Sequence, residues 1–307
     1  MNQSAKNWQA LVNAGELAAA LGREDLVMLD ARVLLTDRAA GEAMYRQSHI
    51  PGARYADLDR DLSDHGRTGG RHPWPDAADF TETLGRWGIR PDTQVVVYDA
   101  GDGALAASRA WFLLRALGHR DVAVLNGGWA GWTSLGLPVE SGESPTVVPT
   151  PYDASFDEDR LLDADAVQAH LDAGGMLIDA RAAERFRGDL EPLDKAAGHV
   201  PGAVNRPYAD NLRDDHFKRA DILAAEFSAL LAGQAPDEVA VMCGSGVTAC
   251  HHLLAMAHAG LHGAKLFTGS WSGWLEDPSR PVATGPAADA DAGLDAGSGS
   301  GSGPGSV

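Results

Sequence analysis

Short runs of purely apolar residues alternate with longer stretches of helical periodicity along most of the chain. Val95–Tyr98 and Val239–Met242 contain no charged position, which predicts strands buried on both faces. Ala106–Leu117 and Val247–His258 follow them and read as helices. Strand, tight turn and helix in succession predict parallel βα units. The expected fold class is therefore α/β, with parallel sheets flanked by helices. In such folds ligands bind at the carboxyl ends of the strands.

The pattern occurs twice. Leu26–Arg32 (LVMLDAR) returns as Gly175–Arg181 (GMLIDAR), and His49–Ala53 (HIPGA) as His199–Ala203 (HVPGA). Val95–Asp99 (VVVYD) returns as Val239–Cys243 (VAVMC), and Asn126–Trp132 (NGGWAGW) as Thr268–Trp274 (TGSWSGW). Four blocks in one order, at an offset of about 145–150 residues, are the mark of an internal repeat. Two homologous domains are expected, at residues 8–135 and 161–284. Residues 136–160 carry Pro138, Pro145, Pro149 and Pro151 and suit an extended linker over the surface. Residues 285–307 turn to Ala, Asp, Gly and Ser, a composition that predicts disorder.

Charge and cysteine content narrow the function. The 307 residues carry 25 Lys and Arg against 43 Asp and Glu, a formal charge of −18. That field repels nucleic acid and anionic membranes. No run approaches the ~18 apolar residues of a membrane helix, and the N-terminus lacks the basic start and apolar block of a secretory signal. A cytoplasmic protein is expected. The two cysteines, Cys243 and Cys250, are too few for a disulfide framework or a four-cysteine zinc site. Neither a metal nor an organic cofactor is expected.

Cys243 stands where a strand gives way to a helix, in the loop Cys243-Gly244-Ser245-Gly246-Val247-Thr248. Glycines on both sides of Ser245 let the backbone curl where side chains would clash. Such a turn aims backbone N–H groups and the positive end of the helix at the sulfur, which favours thiolate. Gly244, Gly246, Val247 and Thr248 thus become candidate binding residues for an anionic sulfur. Cys250, seven residues on, reads as core packing. A cysteine phosphatase would need an arginine in the loop to clamp phosphoryl oxygens, and position 249 is Ala. A P-loop is excluded because no Gly-Lys-Ser/Thr occurs.

These blocks, with the Gly-Ser-Trp-Ser-Gly-Trp ending and the CGSGVT loop, resemble the two-domain rhodanese family over about residues 10–280. The loop is similar to that of the members acting on 3-mercaptopyruvate; thiosulfate-preferring members typically carry basic residues after the cysteine. The resemblance implies two tandem rhodanese-like domains, the first inactive because Asp99 replaces the cysteine. It implies Cys243 as nucleophile, and Arg185 as the cation for a donor carboxylate. A second arginine, expected before the HVPGA block, is missing there; Leu193 or Lys195 falls near its place. Asp59 and His72 match a family region that lines the shared cleft, which implies an Asp59–His72–Ser245 relay; His65 competes for the place of His72. Arg32, Arg181, His49, His199, Trp271 and Trp274 occur in both repeats or have counterparts there, so they read as structural.

The activity implied is transfer of sulfane sulfur from a small anionic donor, through a Cys243 persulfide, to a thiol acceptor (a small thiol or a thioredoxin-like protein) or to cyanide. Thiosulfate as donor, a persulfide carrier for a protein partner, and a non-catalytic scaffold are the competing readings.

Overall fold

In the computed structural model, residues 7–34, 37, 39–101 and 105–287 are described. Most of the segment expected to be disordered, from residue 288 onward, lies outside them.

Two five-stranded parallel sheets have the same topology. The first comprises β1 (Leu11–Val12), β2 (Leu26–Asp30), β3 (Arg54–Tyr55), β4 (Gln94–Tyr98) and β5 (Val122–Leu125), in the order β1-β5-β4-β2-β3. The second begins with β6 (Leu161–Leu162), β7 (Met176–Asp179) and β8 (Val204–Asn205). After the hairpin β9 (Leu212–Arg213) and β10 (His216–Phe217), it ends with β11 (Val239–Met242) and β12 (Lys265–Phe267). Its order is β6-β12-β11-β7-β8. Each central strand, β4 or β11, is flanked by parallel partners on both sides, as continuous apolar runs demand.

Alternation along the strands sorts their side chains between cores. Val95 and Val97 of β4, with Val239 and Val241 of β11, belong to one large cluster, which lies between the sheets. Val96 and Tyr98 face a core on the far side of the first sheet; Ala240 and Met242 face one beyond the second. The central cluster also takes the helices Ala106–Ala116 and Ala249–His258. Small residues at Ala106, Ala107, Ala110, Ala249 and Ala255 let these two helices lie close against each other. The repeats therefore share a core, and side chains of the first reach the loop that carries Cys243.

Residues common to the repeats do the same structural work in each. Arg32 pairs with Asp30 at 2.6 Å and Arg181 with Asp179 at 2.7 Å, all four buried. Each guanidinium also lies over a repeated tryptophan, Trp129 or Trp271. His49 stacks on Tyr45 and bonds its carbonyl; His199 does so with Phe186. Trp271 and Trp274 are fully buried.

Candidate active site

Cys243 follows β11 directly, at the carboxyl end of the middle strand, and is buried. The repeated tryptophan block fastens the loop around it. Trp271 N donates to Cys243 O at 3.0 Å, and Ser272 N donates to Gly244 O at 2.9 Å. The first repeat uses the same device: Trp129 N and Ala130 N hold the carbonyls of Asp99 and Ala100. In the second repeat the Ser270 hydroxyl adds a contact, accepting from Cys243 N at 3.0 Å.

A peptide's N–H points opposite to its C=O. Carbonyls pulled outward by the tryptophan block therefore turn the following N–H groups toward the loop interior. Among the described residues, the N–H groups of Gly244, Ser245, Gly246, Val247 and Thr248 donate to no protein group. Consecutive N–H groups left without a protein partner are the raw material of an anion-binding concavity. Gly246 has φ +74°, and a Cβ there would run into Thr268 O, so only glycine closes this turn. The helix behind the loop starts at Ala249, two residues later than the sequence pattern predicts, because Val247 and Thr248 complete the turn.

His72 and Ser245 meet across the repeats: His72 Nδ1 lies 2.8 Å from Ser245 Oγ. The expected Asp59–His72 contact is present at ion-pair range and not as a direct hydrogen bond. Asp59 Oδ1 is 3.8 Å from His72 Nε2, beyond hydrogen-bond range, and bonds His65 Nε2 at 2.8 Å instead. His65 is thus a partner of the carboxylate, while His72 holds the serine. At the matching strand end in the first repeat, Asp99 Oδ2 accepts from Ala107 N at 3.3 Å.

Two arginines of the first repeat reach this loop, and neither is conspicuous in the sequence. Arg109, fully buried in the helix Ala106–Ala116, donates to carbonyls only: Leu62, His72, Pro73 and, across the repeats, Gly246. Burial pushes its guanidinium down to about 10, which leaves it cationic at neutral pH. Arg71 lies over Gly244, where an added Cβ would come 2.8 Å from its Nη2. Arg185 approaches the same point from the second repeat, with Nη1 and Nη2 each 3.6 Å away. Arg71 thus places a second guanidinium beside that of Arg185 at Gly244. Neither Leu193 nor Lys195 takes that place, since both are exposed. Arg187 is turned to Asp189 at the surface. Two buried carboxylates accompany the arginines. Glu191 binds Arg185 at 2.7 Å, and Asp194 bridges Arg71 and Arg185.

Burial, followed by the nearby Arg109, drives the His72 imidazole down to about 3. Burial alone accounts for most of the fall of His252 to about 4. Both are neutral in the folded protein at pH 5, where an unfolded histidine, with pKa ≈ 6.5, is mostly protonated. The unfolded chain then binds more protons, so stability rises with pH across this interval. The urea midpoint is expected to fall steadily as pH drops from about 7 toward 4. A midpoint unchanged over that range, or rising, contradicts the neutral assignments.

A thiol in a glycine-rich loop, at the strand end of the second of two like α/β units, is the arrangement of a sulfurtransferase. The chain belongs to the rhodanese-like family: the Rhodanese-like domain model matches residues 13–135 and 163–277. A protein of Pseudomonas aeruginosa named "Probable 3-mercaptopyruvate sulfurtransferase" is 50% identical over 280 residues, 90% of this chain and 98% of its own. A Mycobacterium tuberculosis protein, provisionally named thiosulfate sulfurtransferase SseB, is 44% identical over 91% of this chain and 98% of its own. The solved 3-mercaptopyruvate sulfurtransferase from Leishmania major superposes with a TM-score of 0.77 at 29% identity, covering 88% of this chain and 76% of that one. No described helix is long and apolar enough to cross a membrane.

Proposed function

We propose that this sulfurtransferase takes sulfur from 3-mercaptopyruvate, with Cys243 as nucleophile. The observation that carries the reading is the neutral His72–Ser245 pair set beside a loop without Lys or Arg. The donor carboxylate docks on Arg185 and Arg71, and Cys243 attacks the donor sulfur. A sulfur–sulfur bond forms, the carbon–sulfur bond breaks, and the electron pair passes into the pyruvate enolate. Ser245, held by His72, donates a hydrogen bond to that developing charge and relays a proton to it. The outer sulfur of the persulfide rests among the N–H groups of Gly244 to Thr248. A thiol, either small or on a thioredoxin-like protein, or cyanide then removes it and restores the Cys243 thiolate, giving ping-pong kinetics. Asp59, 3.8 Å from His72 Nε2, acts on the imidazole through its charge and not through a direct hydrogen bond. Domain bounds of 8–135 and 161–284 accord with this division, the first supplying His72 and Arg71, the second the nucleophile.

Gly244 supports the same donor. A basic side chain there, of the kind thiosulfate-preferring relatives carry after the cysteine, would meet Arg71. A side-by-side assay of the two donors tests the reading: catalytic efficiency should be higher with mercaptopyruvate. In the same assay Arg185→Ala should lower that efficiency about tenfold to a hundredfold, the value of a charged hydrogen bond. Arg185→Lys should recover only part, because the forked contact is lost. Unchanged efficiency in Arg185→Ala removes this residue from the site, and a preference for thiosulfate overturns the donor assignment.

A further inference from the structure

Asp194 holds an unusual position for a carboxylate in a site meant for anions. Its Oδ1 pairs with Arg71 of the first repeat, and its Oδ2 lies 3.2 Å from Arg185 Nη2 of the second. Only 4% of its side chain is exposed. The two guanidinium groups it joins are those that converge on Gly244, beside the nucleophile. A docking carboxylate would make the same two-point contact.

The loop that carries Asp194 is built to present it. Glu191 Oε1 accepts from Leu193 N and Asp194 N at 3.0 and 3.1 Å, while its carboxylate also takes Arg185 and Arg181. Burial disfavours the Glu191 anion, but those hydrogen bonds, Arg185 first, outweigh it and hold its pKa below the usual range. For Asp194 burial dominates, and its pKa stands above the usual range. The paired cluster therefore sets two cations, Arg71 and Arg185, against two carboxylates before any donor arrives.

We propose that Asp194 is a specificity-determining residue that sets the charge the donor subsite accepts, favouring a monoanionic carboxylate over a dianion. This rests on the reading of Arg71 and Arg185 as the donor-anion subsite. A monoanion takes over contacts that Asp194 makes and leaves one negative charge in excess. A dianion leaves two in excess, beside carboxylates whose side chains are almost fully buried, where Coulomb energies are larger than in bulk water. Thiosulfate and sulfate are excluded by this count more strongly than mercaptopyruvate and pyruvate.

The test is protection of Cys243 from iodoacetamide by pyruvate or by sulfate, in the wild type and in Asp194→Asn. Apparent affinity for sulfate should rise about tenfold in the variant, and that for pyruvate less than about threefold. The ratio of catalytic efficiencies, mercaptopyruvate over thiosulfate, should fall about tenfold, through KM rather than kcat. Asp194→Glu, which keeps the charge, should keep the preference for pyruvate over sulfate. If Asp194→Asn does not melt cooperatively, Asp194→Ser carries the same expectation. Equal changes for both anions, or none, in a folded variant overturn the proposal. Protection needs no turnover, so it reports on Asp194 even if the wild type fails to use mercaptopyruvate, which is the separate failure of the donor assignment.

Discussion

Cys243→Ser is expected to lower turnover by roughly 10⁴-fold or more, the scale of removing a nucleophile, while Cys250→Ser keeps most of it. The two thiols lie seven residues apart, and both are buried, but their surroundings differ. Cys243 sits at the mouth of a turn whose N–H groups, from Gly244 to Thr248, donate to no protein group among the described residues. Cys250 is inside the helix Ala249–His258, with its sulfur 3.4 Å from Gly246 O and its thiol pushed up by burial. A buried thiol of raised pKa is a poor nucleophile. Incubation with donor should add one sulfur, about 32 Da, to the protein as a covalent intermediate. Peptide mapping should place it on Cys243. Finding the added mass on Cys250, or full turnover in Cys243→Ser, rejects the assignment.

What could be read from the sequence follows how local its cause is. The strands β4 and β11 and the nucleophile's loop are set by short-range chemistry: unbroken apolar runs, then glycines at a strand end. The repeat exposed Arg32, Arg181, His49 and His199 as structural, because a residue kept in both units serves what both units share. The contacts between units were harder. Arg71 and Arg109 belong to the first repeat and act on the loop of the second. Nothing within a few residues of either marks that role; contacts between the repeats create it, for Arg109 the packing of the helix Ala106–Ala116 on Ala249–His258 and for Arg71 the hold of Ser272 Oγ on its backbone N–H. The same cause moved the second cation from the neighbourhood of Leu193 and Lys195 to Arg71. The choice between His65 and His72 for Asp59 turned on about an ångström of loop geometry, which spacing along a chain does not fix. The tryptophan block was legible as core, but its backbone clasp on Cys243 and Gly244 depends on two segments far apart in sequence meeting at one strand end.

Ser245→Ala is the variant that should separate the two donors most sharply. With mercaptopyruvate, the keto oxygen gains negative charge as the carbon–sulfur bond breaks, so a positioned O–H donor stabilises the transition state. Loss of one such donor costs about 10²-fold in kcat. Thiosulfate leaves as sulfite, has no enolate to stabilise, and should lose no more than about threefold by the same reasoning. His72 sets the geometry: its Nδ1 lies 2.8 Å from Ser245 Oγ, and burial keeps the ring neutral, with its pKa near 3. With its proton on Nδ1, the neutral imidazole donates to Ser245 Oγ and leaves the single hydroxyl proton free to point at the departing keto oxygen. Because the folded pKa is depressed, this arrangement is present at neutral pH and is lost only as pH falls through about 3. No inflection in kcat assignable to His72 should therefore appear between pH 5 and 8. His72→Asn should retain part of the activity with mercaptopyruvate, since an amide N–H can donate to the serine oxygen, and His72→Leu should approach the loss seen in Ser245→Ala. Equal losses with both donors in Ser245→Ala would mean that the serine only shapes the loop, and the charge on the departing fragment would then have to be met by the backbone N–H groups alone.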